Sequence, residues 1–273
     1  MFPVNPKLRA NRSFFPCLLV LLAFGGASTF PSNSPTAGTP TVSSTPLPVG
    51  LILPVTLDES ISLDQAHAGQ PIAARIAQDV PLSKNEKIPH RSRVTGSIVS
   101  VVKSPDGTTV DLSLRFEKIE YHKQMMPLAV SLRALASFEA VRASQTPFTQ
   151  ADGGTPTGWA DTTQIGGDIR FGDGGEVRNL QKQPVGKGVF GGVLVHVRAA
   201  PGSDCDGPIN GDDRLQALWV FSADACGVYG LPAVQIVHSG KTAPIAVITF
   251  RFERADRKLE AFDALLLRVL SPN

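Results

Sequence analysis

The residues best suited to chemistry lie close together in the C-terminal half of the chain, between Asp204 and Cys226. Five side chains of the segment DCDGPINGDD carry oxygen, and these are Asp204, Asp206, Asn210, Asp212 and Asp213. Carboxylate and amide oxygens at such close spacing suit Ca²⁺, which takes six to eight oxygen ligands. The segment lacks the ligand order of an EF-hand and its terminal Glu. It is therefore interpreted either as a calcium loop or as an Asx-rich turn whose side chains cap their own backbone.

Two cysteines belong to the same region. Cys205 lies in the acidic loop, and Cys226 follows the apolar run ALWVF, residues 217–221. The third cysteine, Cys17, lies in a leader that is predicted to be removed, so an exported chain keeps one pair. We predict a disulfide between Cys205 and Cys226, worth about 3 kcal/mol for a loop of about 20 residues. The alternatives are free thiols or half of a metal site, but no CxxC motif supports four-ligand zinc.

Residues 1–27 have the pattern of a secretory signal peptide. The basic residues Lys7, Arg9 and Arg12 precede the apolar run from Phe14 to Phe24, and small residues follow it. Such a run rises about 16 Å as a helix, which is too short to cross a bilayer of roughly 30 Å. The alternative is an uncleaved leader, which would attach the chain to a membrane interface.

Residues 28–48 are rich in Pro, Ser and Thr and carry no charge. This composition cannot bury a core, and it predicts a disordered, extended spacer. The whole chain has 26 basic and 24 acidic residues, and loss of the leader leaves 23 against 24. A nearly neutral chain without a cluster of basic residues is not expected to bind nucleic acid.

No known catalytic motif is found. No two of the five histidines lie three or four positions apart, so the HExxH type of metal site is excluded, and GxSxG does not occur. Gly240, Lys241 and Thr242 resemble the end of a phosphate-binding loop, but Gln235 stands where that motif requires Gly. The sequence therefore predicts neither an enzyme nor a nucleotide-binding protein.

The N-terminal part of the folded region has the pattern of β-structure. Residues 110–117, VDLSLRFE, alternate between apolar and polar side chains, as in a half-buried strand. The turn sequence SPDG, residues 104–107, joins them to an apolar, β-branched run at 96–102. We therefore predict a hairpin here. Residues 51–57 and 128–132 are also predicted strands, while 72–80 fits a strand or a short helix.

Three pieces of this region resemble the β-barrel domain of the TrbI-type scaffold proteins of conjugation and type IV secretion. They are LPVTLDESI at 53–61, AGQPIAARIAQDV at 68–80 and IPHRSRVTGSIV at 88–99, within the span 52–130. The family pattern IP-x-G-S-R-x-x-G is met by Ile88–Pro89, Ser92–Arg93 and Gly96, whereas Arg91 replaces the first Gly. A Gly at that position would serve a turn that Arg makes at a cost. The resemblance implies a small, non-enzymatic β-barrel of the bacterial envelope.

The rest of the chain is rich in glycine and short apolar runs. Residues 153–192 hold 12 of the 25 glycines, which indicates a connector or the edge of a second β unit. Residues 189–198, 217–221, 234–238 and 245–252 are predicted strands, and 259–270 fits a helix or a buried strand. SLRFEK at 113–118 and TFRFER at 249–254 resemble each other, and each precedes an apolar run that contains an Arg. The likeness marks either two related β units or chance.

Together these patterns predict a mainly β fold, with a small β-barrel or sandwich, then a glycine-rich second β unit that contains the disulfide. The predicted segments are a signal peptide at 1–27, a linker at 28–48, a TrbI-like domain at 49–142, a glycine-rich connector at 143–192 and a C-terminal β unit at 193–273. We expect an exported, non-enzymatic protein of the periplasm or cell surface. It would bind or scaffold an envelope protein or cell-wall component. The alternatives are an exported hydrolase with acidic residues of the glycine-rich region as acid and base, and a calcium-stabilised, adhesin-like module.

Overall fold

The structure, a computed structural model, describes residues 47–148, 161–172, 175–209, 212–253 and 258–271. The predicted signal peptide, and residues 28–46 of the predicted disordered linker, lie outside these ranges.

The described residues form twenty strands and one helix. In chain order they are β1 Ile52–Leu57, β2 Ile61–Ser62, β3 Pro71–Ile76, β4 Val80–Pro81, β5 Lys87–Ile88, β6 Arg93–Lys103, β7 Val110–Tyr121, β8 Gln124–Pro127, β9 Val130–Ala136, α1 Phe138–Gln145, β10 Thr162–Thr163, β11 Ile169–Arg170, β12 Glu176–Arg178, β13 Pro184–Val189, β14 Gly192–His196, β15 Leu215–Ala217, β16 Gly227–Tyr229, β17 Val234–His238, β18 Ile248–Phe252, β19 Lys258–Leu259 and β20 Ala264–Val269. The predicted mainly β fold is confirmed.

Ten strands form one sheet that curls into a nearly closed barrel. Nine of them follow the order β16-β9-β20-β1-β3-β6-β7-β18-β17, and β8 pairs with the end of β7. Neighbouring strands are antiparallel, except that β16 runs parallel to β9. The end strands β16 and β17 lie against each other, so the sheet comes close to closing on itself.

The predicted hairpin is confirmed as β6 and β7, the longest pair of the barrel. Over the first seven residues of β7, every second residue is fully buried inside the barrel; these are Val110, Leu112, Leu114 and Phe116. The turn between the strands is closed by a 2.9 Å bond from the Gly107 N–H to the Ser104 carbonyl. Local alternation and turn chemistry are therefore sufficient to specify this hairpin.

Two positions of the IP-x-G-S-R-x-x-G pattern are set by the backbone. A Cβ atom at Gly96 would lie 1.9 Å from the Arg115 carbonyl oxygen, so only Gly allows β6 and β7 to approach there. Arg91 has a φ of 67° in a turn closed by a 3.1 Å bond from the Ser92 N–H to the Pro89 carbonyl. A type II turn requires a positive φ at that position and favours Gly. The expected turn is present, and Arg91 makes it in a conformation that costs Arg more than Gly.

A second, six-stranded sheet packs on the outside of the barrel. It runs as an antiparallel meander in the order β10-β11-β12-β13-β14-β15. Its valines, among them Val177, Val193 and Val195, share a buried cluster with outward-facing residues of the barrel. As a result β9 and β20 are covered on both faces, by the barrel interior and by this sheet.

The double coverage explains the ambiguous segment at 259–270. Its buried-strand alternative is confirmed as β20, in which all six residues are buried. A strand covered on both faces has no polar side, so its sequence loses the alternation that would distinguish it from a helix. The segment at 72–80 is likewise a strand over its first part, as β3.

The strand prediction for residues 217–221, ALWVF, is wrong. β15 ends at Ala217, and the chain turns over the next residues, with Trp219 at a φ of 57°. The Phe221 N–H closes this turn on the Leu218 carbonyl at 2.9 Å. Leu218 and Phe221 are nevertheless fully buried, so the apolar run reports burial correctly but not backbone conformation.

Gln78 joins the barrel to the second sheet. Its side chain is 3% exposed and lies beside the start of β14. Its Oε1 accepts from the backbone N–H groups of Trp219 at 2.8 Å and Val193 at 3.3 Å, and its Nε2 donates to the Val193 carbonyl at 2.9 Å. A Cβ atom at Gly192 would lie 2.2 Å from this Oε1, so Gly192 leaves room for the amide.

Strands from the predicted segments 49–142 and 193–273 pair with each other in the barrel sheet, and β13 of the predicted connector pairs with β14. Each of the two large sheets thus contains strands from more than one predicted segment, and in the barrel several strands pair with partners distant in the sequence. Among the described residues, no helix has the length and apolar character that crossing a membrane requires.

Candidate functional site: an arginine pocket beside the disulfide

The predicted disulfide between Cys205 and Cys226 is present, with a Cα–Cα distance of 6.0 Å. Cys226 directly precedes β16, which pairs with β9. Cys205 lies in the long loop between β14 and β15. The disulfide therefore fixes this acidic loop next to the edge of the barrel.

Three of the described acidic side chains of the loop lie against basic residues. The Asp206 carboxylate forms an ion pair with Lys241, which lowers the pKa of Asp206. Asp212 pairs with Arg214 at 2.6 Å. The Asp213 carboxylate lies 3.1 Å from the His196 ring.

Asp204 contributes to the lining of a pocket, and Asn210 lies outside the described residues. Within the described ranges, no three His, Cys, Asp or Glu side chains come together in a way that could hold a metal ion. Calcium binding by this loop stays a prediction.

Two buried arginines lie beneath the loop, one on each of two neighbouring strands. Arg268 of β20 is 8% exposed, and Arg133 of β9 is 3% exposed. In the β9–β20 ladder, Leu132 pairs with Leu267 and Ala134 with Leu266, so Arg133 is the extra residue of a β-bulge. A bulge changes the direction of a side chain, and this one places Arg133 beside Arg268.

Both guanidinium groups donate to the same backbone oxygen. Nη1 of Arg133 and Nη1 of Arg268 both bind the Asp206 carbonyl, the latter at 3.2 Å. Nη2 of Arg133 donates to the Arg198 carbonyl, and Nη2 of Arg268 donates to the Gly207 carbonyl at 2.7 Å. The three acceptors of these four hydrogen bonds are neutral carbonyl groups. Among the described residues, neither guanidinium forms a salt bridge with a carboxylate.

The pKa of each of the two arginines is lower than usual because its guanidinium group is buried. Burial, together with repulsion from Arg268, lowers the pKa of Arg133 to about 10. Burial also lowers the pKa of Arg268, while the nearby Asp206 acts in the opposite direction. The Nε atom of each arginine is buried and has no hydrogen-bond partner among the described residues. Two like charges are thus held side by side with their desolvation incompletely offset.

A pocket of about 50 Å³ opens between these arginines and the loop. We call it the arginine pocket; it is lined by Ser131, Leu132, Arg133, Asp204, Cys205, Asp206, Ser239, Lys241 and Arg268. One water needs roughly 10–15 Å³ measured in this way, so the pocket has room for a few waters or one small group. β9, β20, the disulfide loop and the segment after β17 each supply part of the lining.

A larger cavity of about 610 Å³ lies on the second sheet. Its lining includes the exposed side chains of Phe171 and Leu180, with Glu176, Arg178 and Lys182 around them. Arg178 and Glu176 already pair with each other at 2.6 Å. This cavity is the larger of the two candidate binding sites. The arginine pocket, however, combines buried charge with incomplete hydrogen bonding, which is typical of a functional site.

The acidic residues expected for a hydrolase are partly described. Asp168, in the glycine-rich region, has its pKa raised by burial, and it accepts a 2.7 Å bond from the Ala223 N–H. At 2% exposure, its carboxylate cannot contact a polysaccharide without rearrangement of the backbone around it. Its contacts fit a structural role.

Searches of protein-family models, curated proteins and solved structures found no match to this chain. The resemblance of residues 52–130 to the TrbI-type barrel therefore stays a prediction.

The sequence drew attention to the carboxylates of the acidic loop, and the structure adds its backbone carbonyls. Three of its carboxylates, those of Asp206, Asp212 and Asp213, lie against basic side chains, whereas its backbone carbonyls bind Arg133 and Arg268. The available signal was an Arg within each of two apolar runs, SLRALA and LLLRVL. An arginine in an otherwise fully buried strand is rare enough to indicate a specific contact.

Proposed function

We propose that this chain is an exported, non-enzymatic binding protein of the cell envelope, and that it binds an anionic group in the arginine pocket. The observation that supports this proposal is the convergence of two buried guanidinium groups on one neutral carbonyl oxygen. Arginine is well suited to anions because its planar group offers five N–H donors that match carboxylate and phosphate oxygens. Here two of the five are used by carbonyls in each arginine.

The energetic argument follows from burial. Moving an ion out of water costs several kcal/mol, and neutral carbonyls return only part of that cost. An anion in the pocket would supply the missing opposite charge and stabilise the folded state. Anion binding is thus favoured at a site where the protein alone offsets only part of the cost of burying two positive charges.

The disulfide supports the proposed location. A disulfide persists in an oxidising compartment such as the periplasm or the cell exterior. The leader and spacer of the sequence point in the same direction, and an envelope protein or cell-wall component is the partner class that we propose.

Thermal unfolding in the presence of anions tests the binding proposal. We expect chloride, phosphate or acetate to raise the unfolding midpoint of the wild-type protein more than that of Arg268→Gln, at equal ionic strength. Arg115→Gln is the matched control, since Arg115 is an exposed strand residue of the barrel. It should respond as the wild type does. An equal response of all three proteins to every anion would overturn the proposal.

A further inference from the structure

We infer that the group bound in the arginine pocket is a single carboxylate that projects from a larger molecule. This inference rests on the proposed function and narrows it to one class of ligand.

The charge of the pocket favours a singly charged ligand. Its lining has three cations, Arg133, Arg268 and Lys241, and two carboxylates, those of Asp204 and Asp206, which gives a net charge of +1. One carboxylate makes the site neutral. A phosphate dianion would leave an excess negative charge beside Asp206, whose carboxylate is already held by Lys241.

The lining also suits the shape of a carboxylate. The donors are concentrated on the two guanidinium groups, whereas the Cys205 side of the disulfide contributes apolar surface. A carboxylate presents two oxygens on one side and carbon on the other, so it can match both parts of the lining. A tetrahedral oxyanion would place some oxygens against apolar atoms, at a cost in desolvation.

The size and opening of the pocket determine how the rest of the ligand lies. A cavity of about 50 Å³ holds a carboxylate head group and little more. Lys241 and Asp206 at the mouth are roughly half exposed, at 46% and 57% of their side chains. The remainder of the ligand therefore extends outward past these two residues into solvent.

The β9–β20 ladder offers a way to imitate the ligand covalently. Ser131 lines the pocket, is 5% exposed and pairs directly with Arg268 in the ladder. Ser131→Asp places a carboxylate on the same wall as the arginines. Ser131→Asn has nearly the same size and shape without the charge, and is the matched control.

The first experiment measures the unfolding midpoint and titration calorimetry of the full chain with paired probes. N-acetylalanine represents a peptide carboxyl terminus, glucuronate represents an acidic sugar, and N-acetylalaninamide is the uncharged control. We expect at least one carboxylate to raise the midpoint by about 5 °C near saturation, and the amide to have no effect. The stronger of the two carboxylates identifies the source of the group.

Chloride and phosphate are measured in the same series, so that the two proposals can fail separately. If phosphate or chloride stabilises the protein and neither carboxylate does, the carboxylate inference is overturned while anion binding stands. If no anion acts on the wild type beyond its effect on Arg268→Gln, both proposals are overturned.

The second experiment uses the covalent imitation. Ser131→Asp should unfold at a higher temperature than Ser131→Asn, and its affinity for N-acetylalanine or glucuronate should be at least tenfold below that of the wild type. If Ser131→Asp is no more stable than Ser131→Asn and binds the carboxylate as the wild type does, the inference is overturned. Lys241→Met, at the exposed mouth, is the variant to use if both fail to fold, and it should weaken carboxylate binding about tenfold.

Discussion

Gln78 and the arginine pair both lie buried outside the barrel wall, but they differ in how completely their polar atoms are satisfied. The Gln78 amide makes three hydrogen bonds, two to Val193 of the second sheet and one to Trp219 in the turn after β15, and it carries no charge. Arg133 and Arg268 carry two charges, bind only carbonyl oxygens among the described residues, and keep two buried Nε atoms without partners. A neutral, fully bonded group fixes two parts of the fold together. A charged pair with unsatisfied hydrogen-bond donors can still gain stability by binding a ligand.

The largest expected effect tests the structural half of this comparison. Gln78→Leu removes the partners of the Val193 and Trp219 N–H groups, while the Val193 carbonyl keeps its bond from the Leu218 N–H at 3.3 Å. Each group left buried without a partner costs about 1–3 kcal/mol, so the free energy of unfolding should fall by about 4 kcal/mol. Denaturant titration measures the change, and Gln65→Leu, at an exposed position, is the control. A loss below about 1 kcal/mol would show that the joint contributes little.

The disulfide links the two halves of the comparison, because it holds the loop whose carbonyls bind the arginines. The double variant Cys205→Ser, Cys226→Ser should lose about 3 kcal/mol in the free energy of unfolding. It should also lose the anion-dependent rise in the unfolding midpoint, since the Asp206 carbonyl is no longer fixed. Reduced wild-type protein should behave like the double variant. If the double variant keeps the full anion response, the position of the disulfide loop is not required for anion binding.

Asp263 is an intermediate case, charged like the arginines but hydrogen-bonded like Gln78. It is fully buried and accepts 2.8 Å bonds from the N–H groups of Phe138 and Glu260. Burial raises the pKa of Asp263 to about 6, although these two bonds act to lower it. The folded protein therefore holds this proton more tightly than the unfolded chain does.

The stability should consequently fall as the pH rises from about 4 to about 6, by on the order of 2 kcal/mol. Carboxylates paired with cations, such as those of Asp111 and Asp206, have lowered pKa values and act below pH 4 instead. Denaturant titrations at several pH values across this range give the free energy of unfolding. It should fall less steeply with pH for Asp263→Asn than for the wild type. An unchanged slope would assign the pH dependence to another group, such as Asp168, whose pKa is also raised by burial.

The smallest expected effect comes from a variant that changes neither Gln78 nor the arginine pocket. It measures the cost of backbone strain alone. Arg91→Gly relieves a positive φ of 67° at an exposed turn position. We expect a gain of about 0.5–1 kcal/mol in the free energy of unfolding, because Gly adopts this conformation without a Cβ clash. The anion response should not change. A loss of stability would show that the entropy of the unfolded Gly variant outweighs the relief of strain.

The sequence predicts those parts of the fold that depend on near neighbours. The β6–β7 hairpin follows from alternation and a turn motif, and the disulfide follows from having one pair left once the leader is set aside. The turn at Arg91 is expected only from the Gly in the family pattern that residues 88–96 resemble. Each of these signals is contained within a short segment or a simple count.

The remaining features depend on partners that are distant in the sequence. β9 and β20 lose their alternation because the second sheet covers them, and nothing local to either strand reports that cover. Arg133 and Arg268 meet only because their strands pair around a bulge. A pocket whose donors come from paired strands and whose acceptors are backbone carbonyls leaves no motif in the sequence.

The placement of β20 also determines when the barrel can form. This strand, near the C-terminus, lies between β1 and β9, and Ile52 pairs with Arg268 from the other end of the folded region. The barrel cannot close until residues 264–269 have left the ribosome, and the long loops that must then be closed make such a topology slow to fold. Because β20 also carries Arg268, the barrel wall and the arginine pocket can form only after this strand has taken its place.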